Sequence, residues 1–111
     1  MKLSAKYSSS KSVIDVRIKY NTIFGKSLTI NNIGNSKCSV GISNATGKNI
    51  TSTNTSLAWY GIIKSDDSAT ITPDIIASWS TLVDDNGYIY MGIKGNTSST
   101  NANIQIQIDE V

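Results

Sequence analysis

The sequence predicts an all-β fold, a single small antiparallel β-sandwich, on three observations. First, short runs alternate apolar and polar residues with period two, as in Ile14, Val16, Ile18 and Tyr20 set against Asp15, Arg17 and Lys19. That period places one face of an extended strand on a core and the other in water. Second, β-branched Ile and Thr are abundant, whereas Leu occurs only at positions 3, 28, 57 and 82, and Pro73 is the sole proline. This balance favours strands over long helices. Third, the apolar runs are separated by Ser, Asn, Thr and Gly, the residues of turns and loops. About seven short strands so spaced describe a sandwich. A jelly-roll-like form is favoured over an immunoglobulin-like one. The loops are long, and a cysteine pair around a tryptophan is absent.

Residues 1–11 read as a flexible basic N-terminal arm without strong periodicity, and 12–111 as the single sandwich domain. The first strand covers 13–20. Leu28 and Ile30 mark the second, closed by the turn residues Asn31-Asn32-Ile33-Gly34-Asn35. Cys38, Val40 and Ile42 mark the third. Residues 43–56 read as a long polar loop. Leu57-Ala58-Trp59-Tyr60-Gly61-Ile62-Ile63 is apolar on both faces, as in a central strand or one whose outer face is covered. Ser68–Thr72 is a short strand ended by Pro73.

One short helix is expected near residues 73–83. Ile75, Ile76, Trp79, Leu82 and Val83 form a helical stripe, and Thr72-Pro73-Asp74 supplies a cap candidate, a first-turn proline and a first-turn acid. Ser78, Ser80 and Thr81 oppose it as weak helix formers. Asp85-Asn86-Gly87 is a tight-turn signal leading into a strand from Tyr88 to Ile93. A polar loop over 95–103 precedes the cleanest alternation, Ile104-Gln105-Ile106-Gln107-Ile108. The Gln face of that last run is uncharged and offers little edge protection, which leaves the terminal strands open to pairing with partners.

At 111 residues the chain is one domain. Charge is split by position: residues 1–48 carry eight basic side chains and one acid, residues 49–111 two basic side chains and seven acids. In a sandwich, strands of both halves interleave, so much of that split cancels locally. The lysines of the arm, Lys2, Lys6 and Lys11, have no acid nearby in sequence and are the candidate partner-binding residues.

There is no histidine, which removes Ser-His-Asp and Cys-His catalysis and histidine metal ligation. Cys38 is the only cysteine, so no intrachain disulfide can form. Its phase with Val40 and Ile42 makes it a small buried hydrophobe. Asp84-Asp85-Asn86-Gly87 lacks the alternating acidic spacing of a calcium loop and reads as a solvated turn. Asp66-Asp67 reads the same way. Four Asn-X-Ser/Thr sequons begin at Asn44, Asn49, Asn54 and Asn96, a modest excess for eleven asparagines amid so much Ser and Thr.

No catalytic residues, metal ligands or cofactor are expected, and no enzyme activity. The leading expectation is a non-enzymatic structural subunit that decorates or builds a larger assembly, such as a virus or phage particle or a surface fibre. Its partners would be other protein subunits, either copies of itself or a shell or fibre protein. An alternative is a carbohydrate-binding module whose ligand platform is Trp59, Tyr60, Tyr88 and Tyr90, with Tyr88 and Tyr90 on one strand face. A second alternative is a membrane-binding, toxin-like sandwich. Nucleic acid is not expected as a partner, with one arginine and dispersed lysines. No signal peptide or membrane-spanning stretch is read. Synthesis in the cytosol, with an end point in a virion or other extracellular assembly, is the expectation.

Overall fold

The computed structural model describes residues 4–9, 14–95 and 102–109. Eight strands are present among them: β1 (Ser4–Ser9), β2 (Ile14–Lys19), β3 (Ser27–Asn32), β4 (Cys38–Ser43), β5 (Trp59–Ile63), β6 (Ser68–Ile71), β7 (Tyr88–Gly95) and β8 (Ala102–Asp109). They form two four-stranded antiparallel sheets, ordered β1-β8-β3-β6 and β2-β7-β4-β5.

The alternation read from the sequence decides which side chains meet between the sheets. Leu28 and Ile30 of β3 and Ile104, Ile106 and Ile108 of β8 come from one sheet. Val16 and Ile18 of β2, Cys38, Val40 and Ile42 of β4, and Ile89, Met91 and Ile93 of β7 come from the other. Each large aliphatic side chain withdrawn from water contributes about 1.5–3 kcal/mol before the entropy of ordering it is subtracted. A single-residue slip in any strand would turn these side chains outward.

The expected helix exists in two parts. Thr72 is extended and Pro73 opens a short helix, α1 (Pro73–Ala77). At Ser78 the backbone tightens into a 3-10 turn, Ser78–Leu82, where the Ser78 hydroxyl donates to the Ile75 carbonyl at 2.5 Å. Such back-bonding is why serine weakens a helix interior. Ile76 and Trp79 reach the core, and Leu82 and Val83 pack against it. Ile75, the remaining member of the stripe, is exposed.

Three expectations change. The segment 1–11, read as an arm, contains β1, whose Ser4–Ser9 backbone pairs in register with β8 from Gln107 to Ala102. β8 therefore lies between β1 and β3 rather than at an edge. The uncharged Gln-rich run thus takes a partner strand from its own chain. β5 is an edge strand rather than a central one. Its apolar pattern has two causes: Trp59 packs inward on the core, while Ile62 stands exposed.

The loop between β4 and β5 is polar in composition, yet it lies across the outer face of its sheet. Ile50 is buried within it. A Cβ at Gly41 would lie 3.0 Å from Leu57 Cδ1 and 3.2 Å from Ile50 Cδ1, so the glycine makes room for both. At its near end Asp15 accepts from the Gly47 amide at 3.2 Å, so the loop reaches the opposite edge strand of the same sheet.

Candidate functional site

The aromatic residues singled out from the sequence are separated by the pleat. Trp59 registers opposite Ile42 and packs on the core. A Cβ at Gly61 would lie 2.6 Å from the far edge of the Trp59 ring, so glycine two residues on is what lets the indole lie along its own strand. Tyr60, Tyr88 and Tyr90 alternate to the outer face of the same sheet. Tyr60 registers opposite Gly41, and its hydroxyl lies 3.4 Å from that of Ser39.

Tyr88 and Tyr90 meet the basic face of β2. Lys19 registers opposite Tyr88 and Arg17 opposite Tyr90. The Arg17 guanidinium lies 4.6 Å and the Lys19 ammonium 4.8 Å from the Tyr88 ring centroid. Both cations therefore sit in the negative potential of one ring face or the other. Lys19 also donates to the Asn86 carbonyl at 2.8 Å, which draws the turn before β7 against β2.

That turn is built on Asp84. One carboxylate oxygen accepts from the Asn86 and Tyr88 amides at 2.9 Å each, and the other accepts from the Tyr90 hydroxyl at 2.6 Å. Gly87 supplies the left-handed conformation at φ 89°, the geometry L-residues avoid. The Tyr90 hydroxyl bond, followed by the amides, holds the Asp84 carboxyl below the ordinary carboxylate range. The same bond raises Tyr90. The carboxylate is thus engaged in shaping its own turn, the solvated-turn role expected of Asp84–Gly87.

Lys6 lies on β1, where its backbone registers opposite Gln105. Lys2 and Lys11 lie outside the described residues. Cys38 is buried on the inner face of β4, and burial pushes its thiol up to about 11. A thiol so placed is a weak nucleophile. At the sequon Asn54, the side chain is spent on the chain itself. Its amide donates to the Asn49 carbonyl at 2.7 Å and its oxygen accepts from the Ser56 amide and hydroxyl.

Two features escape a reading of the sequence. Phe24 and Ile62 are each 56 % exposed, and Ile33 and Ile75 are exposed to a lesser degree. Phe24 sits in the turn after β2, its ring 5.7 Å from that of Tyr20. The Tyr20 hydroxyl donates to the Ile76 carbonyl at 2.7 Å, which fixes this turn against α1. The second feature is Asn32, buried at the end of β3. Its amide donates to the Ser36 and Ile63 carbonyls at 2.9 Å each, and its oxygen accepts from the Gly34 amide at 3.0 Å. It joins one sheet to the edge of the other.

Among the described residues no group of three or more Cys, Asp or Glu is placed to hold a metal ion, and no helix is long and apolar enough to cross a membrane. No family model and no curated protein matches the chain. Among solved structures, a crystal structure of PirA is similar, with a TM-score of 0.56 and 14 % identity over 95 % of this chain and 92 % of that one. At that identity the likeness is one of fold.

Proposed function

We propose that the chain is a non-enzymatic structural subunit that decorates or builds a larger assembly through protein–protein contacts, of the kind found in virus or phage particles and surface fibres. The observation that carries the reading is the exposure of Phe24 and Ile62, 56 % each, on a domain whose other large apolar side chains are mostly buried. An exposed aromatic or aliphatic side chain held on a sheet or turn offers an anchor that a partner's surface can bury. The strand order β1-β8-β3-β6 facing β2-β7-β4-β5 supports the jelly-roll form over the immunoglobulin-like one, and sandwiches of this kind serve as building blocks by analogy of fold. The carbohydrate reading has less support: Trp59 packs on the core, and Arg17 and Lys19 already lie over the Tyr88 ring.

The test is sedimentation of extracts from the native source. The chain is expected in a fast-sedimenting fraction at fixed stoichiometry with other subunits, and Phe24→Ser or Ile62→Ser should reduce its incorporation. Recovery of the chain only as a free small protein would overturn the proposal.

A further inference from the structure

Asn86-Gly87 is the one Asn-Gly pair in the sequence, and it lies in the turn before β7 with Asn86 exposed. The main-chain nitrogen that follows an asparagine can attack that asparagine's own side-chain carbonyl carbon and close a five-membered imide. Glycine as the second residue leaves the nitrogen unhindered and the backbone free to bend into the attack. Every other asparagine in the chain precedes a residue with a side chain.

The fold withholds that nitrogen. The Gly87 amide donates to the Asp84 carbonyl at 3.0 Å, and the Asp84 amide donates to the Tyr88 carbonyl at 2.9 Å. The Asp84 carboxylate accepts from the Asn86 and Tyr88 amides, so both neighbours of Gly87 are pinned as well. Lys19 works in the opposite sense. Its ammonium donates to the Asn86 carbonyl at 2.8 Å, and a Cβ on Gly87 would lie 3.3 Å from it. A cation on that carbonyl draws electron density from the same peptide unit and makes the Gly87 N–H more acidic. The attack is thereby favoured once the N–H is released from Asp84.

We propose that Asn86 is a modification site, open to spontaneous deamidation by water and held closed by the turn that Asp84 builds. In the reaction the Gly87 nitrogen gives up its proton and bonds to Cγ of Asn86. The Cγ–Nδ2 bond breaks, and the departing nitrogen takes up that proton and leaves as ammonia. Water then opens the imide at either carbonyl and leaves an aspartyl or an isoaspartyl link at position 86. No redox step is involved, and water is the co-reactant. Either product sets a new carboxylate beside Asp84 and Asp85, and the isoaspartyl link lengthens the main chain by one carbon inside the turn. Both changes loosen the bonds through which Asp84 holds Tyr88 and Tyr90. The modification is a one-way change of charge next to the place where Arg17 and Lys19 meet the Tyr88 ring.

Incubation of the purified chain at mildly alkaline pH, followed by peptide mass spectrometry and enzymatic methylation of isoaspartate, tests this. In concentrated urea, position 86 should convert first among the asparagines. In the folded chain its conversion should be slower by about tenfold or more, because it waits on opening of the turn. Asp84→Ala should bring the folded rate most of the way to that variant's own rate in urea. Circular dichroism confirms its fold, and unchanged amide exchange in β4 shows that the opening is local. Should Asp84→Ala fail to fold, Asp84→Asn, which keeps a side-chain acceptor for the two amides, should give a folded rate between those of wild type and the urea state. No conversion at position 86 in urea overturns the site. A folded wild-type rate equal to the urea rate overturns its protection. A folded Asp84→Ala chain as slow as wild type, or one whose β4 amides lose protection in step with the conversion, overturns the part assigned to Asp84.

Discussion

Replacing Asn32 tests the hydrogen-bonded tie between the two sheets. The side chain is 1 % exposed and makes three hydrogen bonds, to the Ser36 and Ile63 carbonyls and from the Gly34 amide. Asn32→Ala removes all three. A net hydrogen bond is worth about 1 kcal/mol, and a buried group left without a partner costs about 1–3 kcal/mol. The bond to Ile63 is fully buried and the other two are partly so, which lets water recover part of their loss. The sum is a destabilisation of about 3–4 kcal/mol, a large share of the ~5–15 kcal/mol that holds a domain folded. With a urea slope near ~1.5 kcal/mol/M the midpoint should fall by about 2 M at unchanged slope. Asn32→Asp is isosteric and keeps the acceptor for Gly34, yet it turns a carboxylate oxygen toward two carbonyl oxygens. It should be worse than alanine at neutral pH. Burial would raise the folded-state pKa of the new carboxyl, so its penalty is present above that pKa and relieved as pH falls toward the unfolded value. Urea denaturation followed by tryptophan fluorescence at neutral and acidic pH measures both effects. An unfolding free energy within ~0.5 kcal/mol of wild type for Asn32→Ala, or an Asn32→Asp variant no weaker than Asn32→Ala at neutral pH, would refute the reasoning.

Three further outcomes are expected. Gly41→Ala brings a methyl group to 3.0–3.2 Å from Leu57 and Ile50 and should lift the covering loop at a cost of about 1–3 kcal/mol, seen as faster proteolysis and amide exchange over 44–58. Cys38, buried and with its thiol pushed up to about 11, should resist a thiol reagent in the native state and react at the rate of unfolding in denaturant; prompt native-state labelling would contradict its placement. The Asp84–Tyr90 bond should show at both ends of the pH scale. Asp84 is lowered, so its stabilisation is complete above the ordinary carboxylate range and is lost as pH falls through its folded value. Tyr90 is raised, so its share is complete below the ordinary phenol value and is lost as pH rises through its folded one. Asp84→Asn should bring the Tyr90 midpoint back down, as read by tyrosinate absorbance, and a midpoint unmoved by that change would show the bond absent in solution.

Local pattern was enough for the strands with one wet face. The runs 14–19 and 104–108 are legible because every second residue is apolar, and that period has one physical solution; the structure extends the second to Ala102–Asp109, into the stretch read as a polar loop. The turn at Asp84–Gly87 is legible because its conformation needs a glycine and its carboxylate reaches amides only a few residues away. Local pattern failed where a residue's role depends on what lies across the sandwich. β1, Ser-Ala-Lys-Tyr-Ser-Ser, has too little apolar alternation to announce a strand, and it forms because β8 offers it a ladder. The loop before β5 reads as polar, yet Ile50 is buried because Gly41 leaves a hollow beneath it.

The exposed surface was the least legible part. Trp59 and Tyr60 look alike in sequence, and only the pleat and the position of β5 send one to the core and the other outward. Asn31 and Asn32 are neighbours in a run that reads as a turn. Asn32 alone falls on the buried side, where it bonds to Ile63, 31 residues away. Composition and alternation establish an isoleucine-rich all-β sandwich with one short helix, because they act through the chain's own dihedrals and the side-chain period. Which strands become edges, which apolar residues stay exposed and which asparagine ties the sheets are settled by pairing between distant segments. Those are the features on which the proposed assembly depends, and they arise only once both sheets are in place.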